Sequence, residues 1–393
     1  MTSNPLSFYI HIPYCLSRCG YCDFNTYTPS ELGQSEVSRG ELSSRYMRAA
    51  TKEINQMSAT LSEPRSIPSI FFGGGTPSLM EPRDIKSAID AIRDGFEVAN
   101  DCEITMEANP DTVDERNLEG FITAGVNRFS FGVQSGKSSV LKVLERTHDQ
   151  SNVVTALQIA ASLGVEDLSV DLIYGTPGES VADLEESLEF ALSLPINHLS
   201  CYALIVEAGT RLAKRVQSGE INAPDDDDMA EKYRLIDARL ESAGFDWYEL
   251  SNWAKASGQS RHNQVYWRGG EWWGVGPGAH SYLDGKRWWN IKSPIRYMEI
   301  LESKEHGQDA IDEIIASSET LTDENRRDER IMLMIRLRDG LQRGDLTPSQ
   351  VQVIDRHCES GGVDEQAWRE ERVVLTMAGR LIADRIVRDL VAS

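Results

Sequence analysis

The sequence predicts an α/β protein: roughly six βα units of a parallel sheet over the first ~210 residues, then an aromatic-rich extension and a C-terminal helical domain. Three observations carry this. Short β-rich runs alternate with amphipathic, charge-faced stretches. Seven of the eight tryptophans fall within Phe245–Trp289. Beyond that segment, apolar residues recur at helical spacing through Ile331–Ile335 and Leu375–Leu390.

In order, the β-rich runs are Leu6–Ile12, Ser69–Phe72, Glu103–Ala108, Arg128–Val133, Leu168–Ile173 and His198–Leu204. The helical patterns between them are Ser43–Leu61, Pro82–Phe96, Val113–Ala124, Val153–Leu163 and Val181–Leu194. Asp225–Asp228 precedes a further helical pattern, Met229–Ala243, and reads as acidic capping of a solvated helix. These changes of texture set expected domains at 1–215, 216–310 and 311–393.

With 40 Lys+Arg against 62 Asp+Glu in 393 residues, the net charge is 40 − 62 = −22. That balance disfavours nucleic acid and anionic lipid as partners, because both are bound through basic residues. The longest charge-free stretches, Met1–Ser17 and Phe190–Val206, are interrupted by Pro, Asn and His, so no transmembrane segment or secretory signal is expected. A cytoplasmic protein is expected. Six cysteines are too few for a disulfide scaffold, yet Cys15, Cys19 and Cys22 fall within eight residues.

Polar or glycine-rich residues follow the first four runs, at Cys15, Gly73–Pro77, Glu107–Pro110 and Gln134, and Asp171 and Tyr202 sit near the ends of the last two. In parallel α/β folds ligands bind at the carboxyl ends of the strands, so this punctuation predicts one shared site. The cysteines have the spacing CxxxCxxC. Three thiolates in one loop suit three corners of a 4Fe–4S cluster and leave one iron for a ligand. Structural zinc, with His11 as fourth ligand, and unligated buried thiols are the competing readings.

CxxxCxxC directly after a first strand resembles the radical S-adenosylmethionine (SAM) superfamily. The resemblance implies a partial (β/α)6 barrel, a 4Fe–4S cluster on Cys15, Cys19 and Cys22, and SAM bound by Tyr9, Gly74, Gly75, Thr76, Glu107, Gln134, Arg146 and Asp171. Absence of side-chain bulk along Gly73–Gly75 is expected to let the backbone approach that ligand.

Tyr9–Cys15, Phe72–Ser78, Ser130–Ser135, Asp171–Gly178, Gly274–Tyr282 and Leu375–Gly379 resemble the oxygen-independent coproporphyrinogen III oxidase group. The true oxidase carries a further cysteine beyond the triad and a longer N-terminal arm. Here Cys22 is followed by Asp23-Phe24, and Cys15 lies near the start of the chain. Both features are similar to the HemW-type haem chaperones. That resemblance implies haem as ligand, haem-accepting proteins, such as respiratory ones, as partners, and carriage of haem in place of turnover. Radical decarboxylation of coproporphyrinogen III is the alternative, and an RNA-modifying radical enzyme is disfavoured by the charge. His262-Asn263-Gln264-Val265-Tyr266-Trp267 matches a motif associated with haem in that branch. His262 is therefore the expected haem ligand, with Tyr266, Trp267, Trp272 and Trp273 as stacking partners and His280 and His11 as lesser candidates. The oligomeric state, a homodimer included, stays open.

Overall fold

Strand-forming runs with alternate apolar residues become six parallel strands in the computed structural model, which describes residues 4–33, 39–61, 65–303 and 308–392. They are β1 (Leu6–Ile12), β2 (Ser66–Gly74), β3 (Glu97–Ala108), β4 (Arg128–Gln134), β5 (Asp167–Tyr174) and β6 (His198–Ala203). Each pairs with the next in chain order. Period-two alternation sorts their side chains. In β1, Leu6, Phe8, Ile10 and Ile12 are fully buried in the main apolar core, while Tyr9 on the opposite face lines a cavity.

The intervening helices bury one stripe each. Pro82–Gly95 places Ile85, Ala88, Ile89 and Ile92 inward, the i, i+3, i+4, i+7 pattern of an amphipathic helix, with Pro82 in its first turn. Asp114 and Ser180 start the helices Glu115–Ala124 and Val181–Leu192 with reciprocal capping boxes. A short helix, Ser138–Leu144, has no counterpart in the sequence reading. It ends at Glu145 in a left-handed conformation (φ 58°), immediately before Arg146.

The sheet does not stop at the expected boundary near residue 215. Six further strands follow: β7 (Asp246–Glu249), β8 (Asn252–Ala254), β9 (Glu271–Val275), β10 (His280–Leu283), β11 (Lys286–Asn290) and β12 (Ile315–Thr320). β8 adds antiparallel to β6, and β9 adds parallel to β1. The result is one sheet of twelve strands, β12-β11-β10-β9-β1-β2-β3-β4-β5-β6-β8-β7. The aromatic extension thus extends both edges of the barrel sheet, and Trp253, Trp273 and Trp288 sit in the same core as β1. An expected boundary at 311 also falls before β12, which still belongs to this sheet. A second apolar cluster, including Ile331, Ile335, Val353, Ile386 and Leu390, holds the C-terminal part together. That part is helical apart from a two-stranded ribbon, β13 (Leu341–Gln342) with β14 (Arg372–Val373). Arg380 anchors it with a two-pronged ion pair to Asp237 on the helix Asp226–Ser242 (2.6 and 2.8 Å). No helix among the described residues is long and apolar enough to cross a membrane.

Candidate functional site

The inward faces of β1 to β6 surround a cavity of about 480 Å³. Its walls are polar because alternate residues of each strand point inward: Thr105 and Glu107 on β3, Ser130 and Gln134 on β4, Ser169 and Asp171 on β5. The loop after β1 brings Cys15, Cys19 and Cys22 to the same cavity, all three free and half-buried. Backbone bonds close that loop, from Cys15 N to Tyr27 O (3.1 Å) and Tyr27 N to Pro13 O (2.7 Å). Gly20 N bonds to Leu144 O (3.1 Å), tying the loop to the short helix.

Burial pushes the Cys15 thiol up to about 11, and the neighbouring Cys22 and Cys19 thiolates oppose its ionisation further. Cys22 is raised by burial too. Two donors face the sulfurs: Thr76 Oγ1 lies 3.7 Å from Cys15 Sγ and Arg146 Nη1 3.5 Å from Cys19 Sγ. Among the described residues no three His, Cys, Asp or Glu side chains gather as one metal ion would need. Zinc would also need His11, whose two ring nitrogens are committed to the Tyr9 hydroxyl (3.0 Å) and Asn25 O (2.9 Å). Three thiols that each meet a different iron have no such requirement, so the donor set fits a cubic cluster better than a mononuclear site.

The residues expected to hold SAM all line this cavity. Glu107 accepts from Gly74 N (3.0 Å); burial, with Asp171 adding repulsion, lifts its carboxyl to about 7. Asp171, also raised by burial, accepts from the Ser130 hydroxyl (3.1 and 3.2 Å). Arg146 donates to Gly132 O (2.7 Å). Gln134 holds φ 64°, a left-handed conformation unfavourable for a residue with Cβ, at the end of β4. Three buried polar groups in the wall, Arg18 Nε, Thr105 Oγ1 and Arg146 Nε, have no hydrogen-bond partner among the described residues, as expected of a surface meant to meet a polar ligand.

The glycine run lines the cavity and also packs against the end of β1. A Cβ on Gly74 would lie 2.5 Å from the His11 ring, and one on Gly75 2.5 Å from Tyr14 O. Their missing side chains let β2 close against the end of β1; room for a ligand is a secondary result.

His262, the expected haem ligand, is held inside the wall. Its ring is 1% exposed and lies in the cavity wall, stacked on Phe71 with centroids 5.0 Å apart. Ser69 Oγ donates to Ser7 (2.8 Å), so His262 Nδ1–H donates to Ser69 (2.9 Å), and Nε2 accepts from the Tyr266 hydroxyl (2.9 Å). Burial lowers its pKa to about 3, keeping the ring neutral. Direct ligation of iron requires breaking one of these bonds. Trp273, also expected to stack on haem, is 5% exposed and donates to the buried Glu53 (3.1 Å). His280 is exposed at the start of β10 and stacks on Trp289 (5.6 Å, 23°).

Residues 9–191 match the radical SAM superfamily. "Heme chaperone HemW" of Mycobacterium tuberculosis is 42% identical over 390 residues, covering 99% of this chain and 96% of its own. The chain belongs to the HemW family. Bacillus subtilis "Heme chaperone HemW" is 36% identical over 76% of each chain. The fold matches Escherichia coli coproporphyrinogen III oxidase HemN, a radical SAM enzyme, with a TM-score of 0.81 over 98% of this chain and 90% of that one. At 19% identity this likeness shows the fold alone.

The inward serines and Thr105 escaped the sequence reading, although their alternation with buried aliphatics in Ser169-Val170-Asp171-Leu172 was a usable signal. No local signal pointed to the Ser69–His262 pairing, which joins residues 193 positions apart.

Proposed function

We propose that the chain is a haem carrier that holds a 4Fe–4S cluster on Cys15, Cys19 and Cys22, with SAM beside it, and passes haem to an acceptor protein. The observation that carries this is the near full-length similarity to a protein named a haem chaperone, with a second so named matching three quarters of the chain. It is supported by the cavity that joins three thiols to the polar strand ends.

A bound cluster with one open iron supplies a coordination site for the amine and carboxylate of SAM. The chain supplies the rest. Arg146 is placed to meet a carboxylate, and Glu107 and Asp171 to accept from amine or hydroxyl donors. Tyr9, Gln134 and the backbone from Gly74 to Thr76 complete the enclosure. Arg146 and Thr76 also donate toward the sulfurs of Cys19 and Cys15. The radical enzyme reading rests on fold likeness to HemN, while Cys22-Asp23-Phe24 lacks the oxidase's additional cysteine.

The test is anaerobic reconstitution with iron and sulfide, followed by haem titration and mixing with an apo haem protein. Stoichiometric haem uptake and its transfer support the carrier. Multiple turnovers of coproporphyrinogen III with SAM and a reductant would replace it with the oxidase. Cys15→Ala should remove the iron–sulfur absorption; retention of the full absorption would overturn the cluster assignment.

A further inference from the structure

Seven large apolar side chains are exposed among the described residues, and four border the mouth of the one cavity described above: Leu16 (47%), Phe24 (61%), Tyr202 (44%) and Ile205 (67%). They come from two distant places in the chain. Leu16 lies inside the cysteine loop and Phe24 just after it, whereas Tyr202 lies on β6 with its hydroxyl toward Ser200, leaving its ring at the rim, and Ile205 follows β6. Isolated apolar residues on a surface need no explanation, but a ring of them around a polar cavity marks a binding surface.

The chemistry of the rim differs from that of the interior. Carboxylates, an amide and a guanidinium line the interior, a setting for a polar nucleotide. At the rim, an apolar and flat ligand would gain most by covering the four side chains together. Two cations stand beside it. Arg18, also on the cavity wall, is 3.2 Å from Glu31, and Arg211 is 3.0 Å from Glu145 and donates to the carbonyl of Arg18. Each is already paired with a carboxylate, so a dianionic ligand reaches them by displacing the partly exposed Glu31 and Glu145.

We propose that haem docks on this rim, its macrocycle lying across the mouth on Leu16, Phe24, Tyr202 and Ile205, and its propionates toward Arg18 and Arg211. This rests on the haem-carrier reading. It places haem away from His262, whose nitrogens are committed inside the wall. It also couples the two ligands: a docked macrocycle closes the cavity, so SAM exchange is slow while haem is held.

The experiment uses the full chain with its cluster reconstituted, and titrates haem by visible absorption against Phe24→Glu, Ile205→Glu and the double variant. Each single substitution should weaken haem binding about 10-fold and the double about 100-fold, because a carboxylate is buried under an apolar ring. Phe24→Trp should bind as the parent does. These side chains are exposed, so melting temperature and iron–sulfur absorption should be unchanged. Ile205→Glu, remote in sequence from the cysteines, keeps the test decisive should Phe24→Glu disturb the cluster. Parental haem affinity in the double variant would overturn the rim site and leave the carrier reading intact. Failure of the unsubstituted chain to bind haem would sink the carrier reading itself. Normal haem affinity with lost delivery to an acceptor would make the rim a protein-docking face, against this proposal. Radiolabelled SAM should exchange more slowly from the haem-loaded parent; equal rates would refute the coupling.

Discussion

His262→Ala distinguishes an imidazole that holds the wall together from one that holds iron. The substitution removes the partner of the Tyr266 hydroxyl, which makes no other hydrogen bond to the described residues, and one partner of Ser69, which keeps Ser7. A buried hydroxyl left without a partner costs about 1–3 kcal/mol. Loss of the ring also removes its packing on Phe71 (5.0 Å) and Tyr266 (5.2 Å), and emptying a buried aromatic position costs a further ~2–3 kcal/mol where the wall relaxes only in part. The expected loss is about 3–6 kcal/mol, a large part of the ~5–15 kcal/mol available to a typical folded domain. Urea denaturation of the haem-free chain measures it, and haem titration at low temperature, where the variant remains folded, measures the ligand. Stability should fall while haem affinity stays within about threefold of the parent. His262→Gln, which retains a donor and an acceptor, should recover part of the loss. Unchanged stability with haem affinity reduced more than tenfold would refute this reasoning and restore His262 as an iron ligand.

The pH dependence of stability should bear the mark of Glu107. Its carboxyl rises to about 7 from an ordinary 4.5, so the folded chain holds this proton more tightly than the unfolded chain. Stability is then lost as pH rises from 4.5 to 7, by up to about 3 kcal/mol from this group. Glu107→Gln should flatten that slope in thermal melts and be more stable than the parent at pH 8; an unaltered slope would remove Glu107 as its source. Lys232, fully buried between Glu179 (3.3 Å) and Asp228 (2.7 Å), should not tolerate loss of charge. Lys232→Met strands the buried Glu179 and should destabilise by about 3–5 kcal/mol in denaturation, with Glu179→Gln restoring much of it. Arg146→Ala should reduce SAM retention by the reconstituted chain about tenfold, since it removes a charged donor from the cavity wall, and equilibrium dialysis with labelled SAM would show it.

Much of this molecule was legible in its amino-acid order. Alternation of apolar and polar residues within β1 to β6, and 3.6-residue spacing between them, are local properties, so the six parallel units could be placed to within a few residues. CxxxCxxC and the polar strand ends were equally local, and the fold brings them to one cavity. The rest depended on partners far apart in the chain. β9 reads as a short aromatic run, and nothing within it indicates that it lies parallel to β1. His262 reads as a candidate ligand, and only the fold shows that Ser69 and Tyr266 bond its two nitrogens. Gly74 and Gly75 read as backbone open to a ligand, and only the fold shows that the same bare backbone is also pressed against His11 and Tyr14. The apolar rim exists only because residues near 20 and near 204 meet at the cavity mouth. Local periodicity is set by the backbone and is therefore written in consecutive residues; a side chain's burial and its partners are set by whichever distant segment packs against it, which only the folded chain decides.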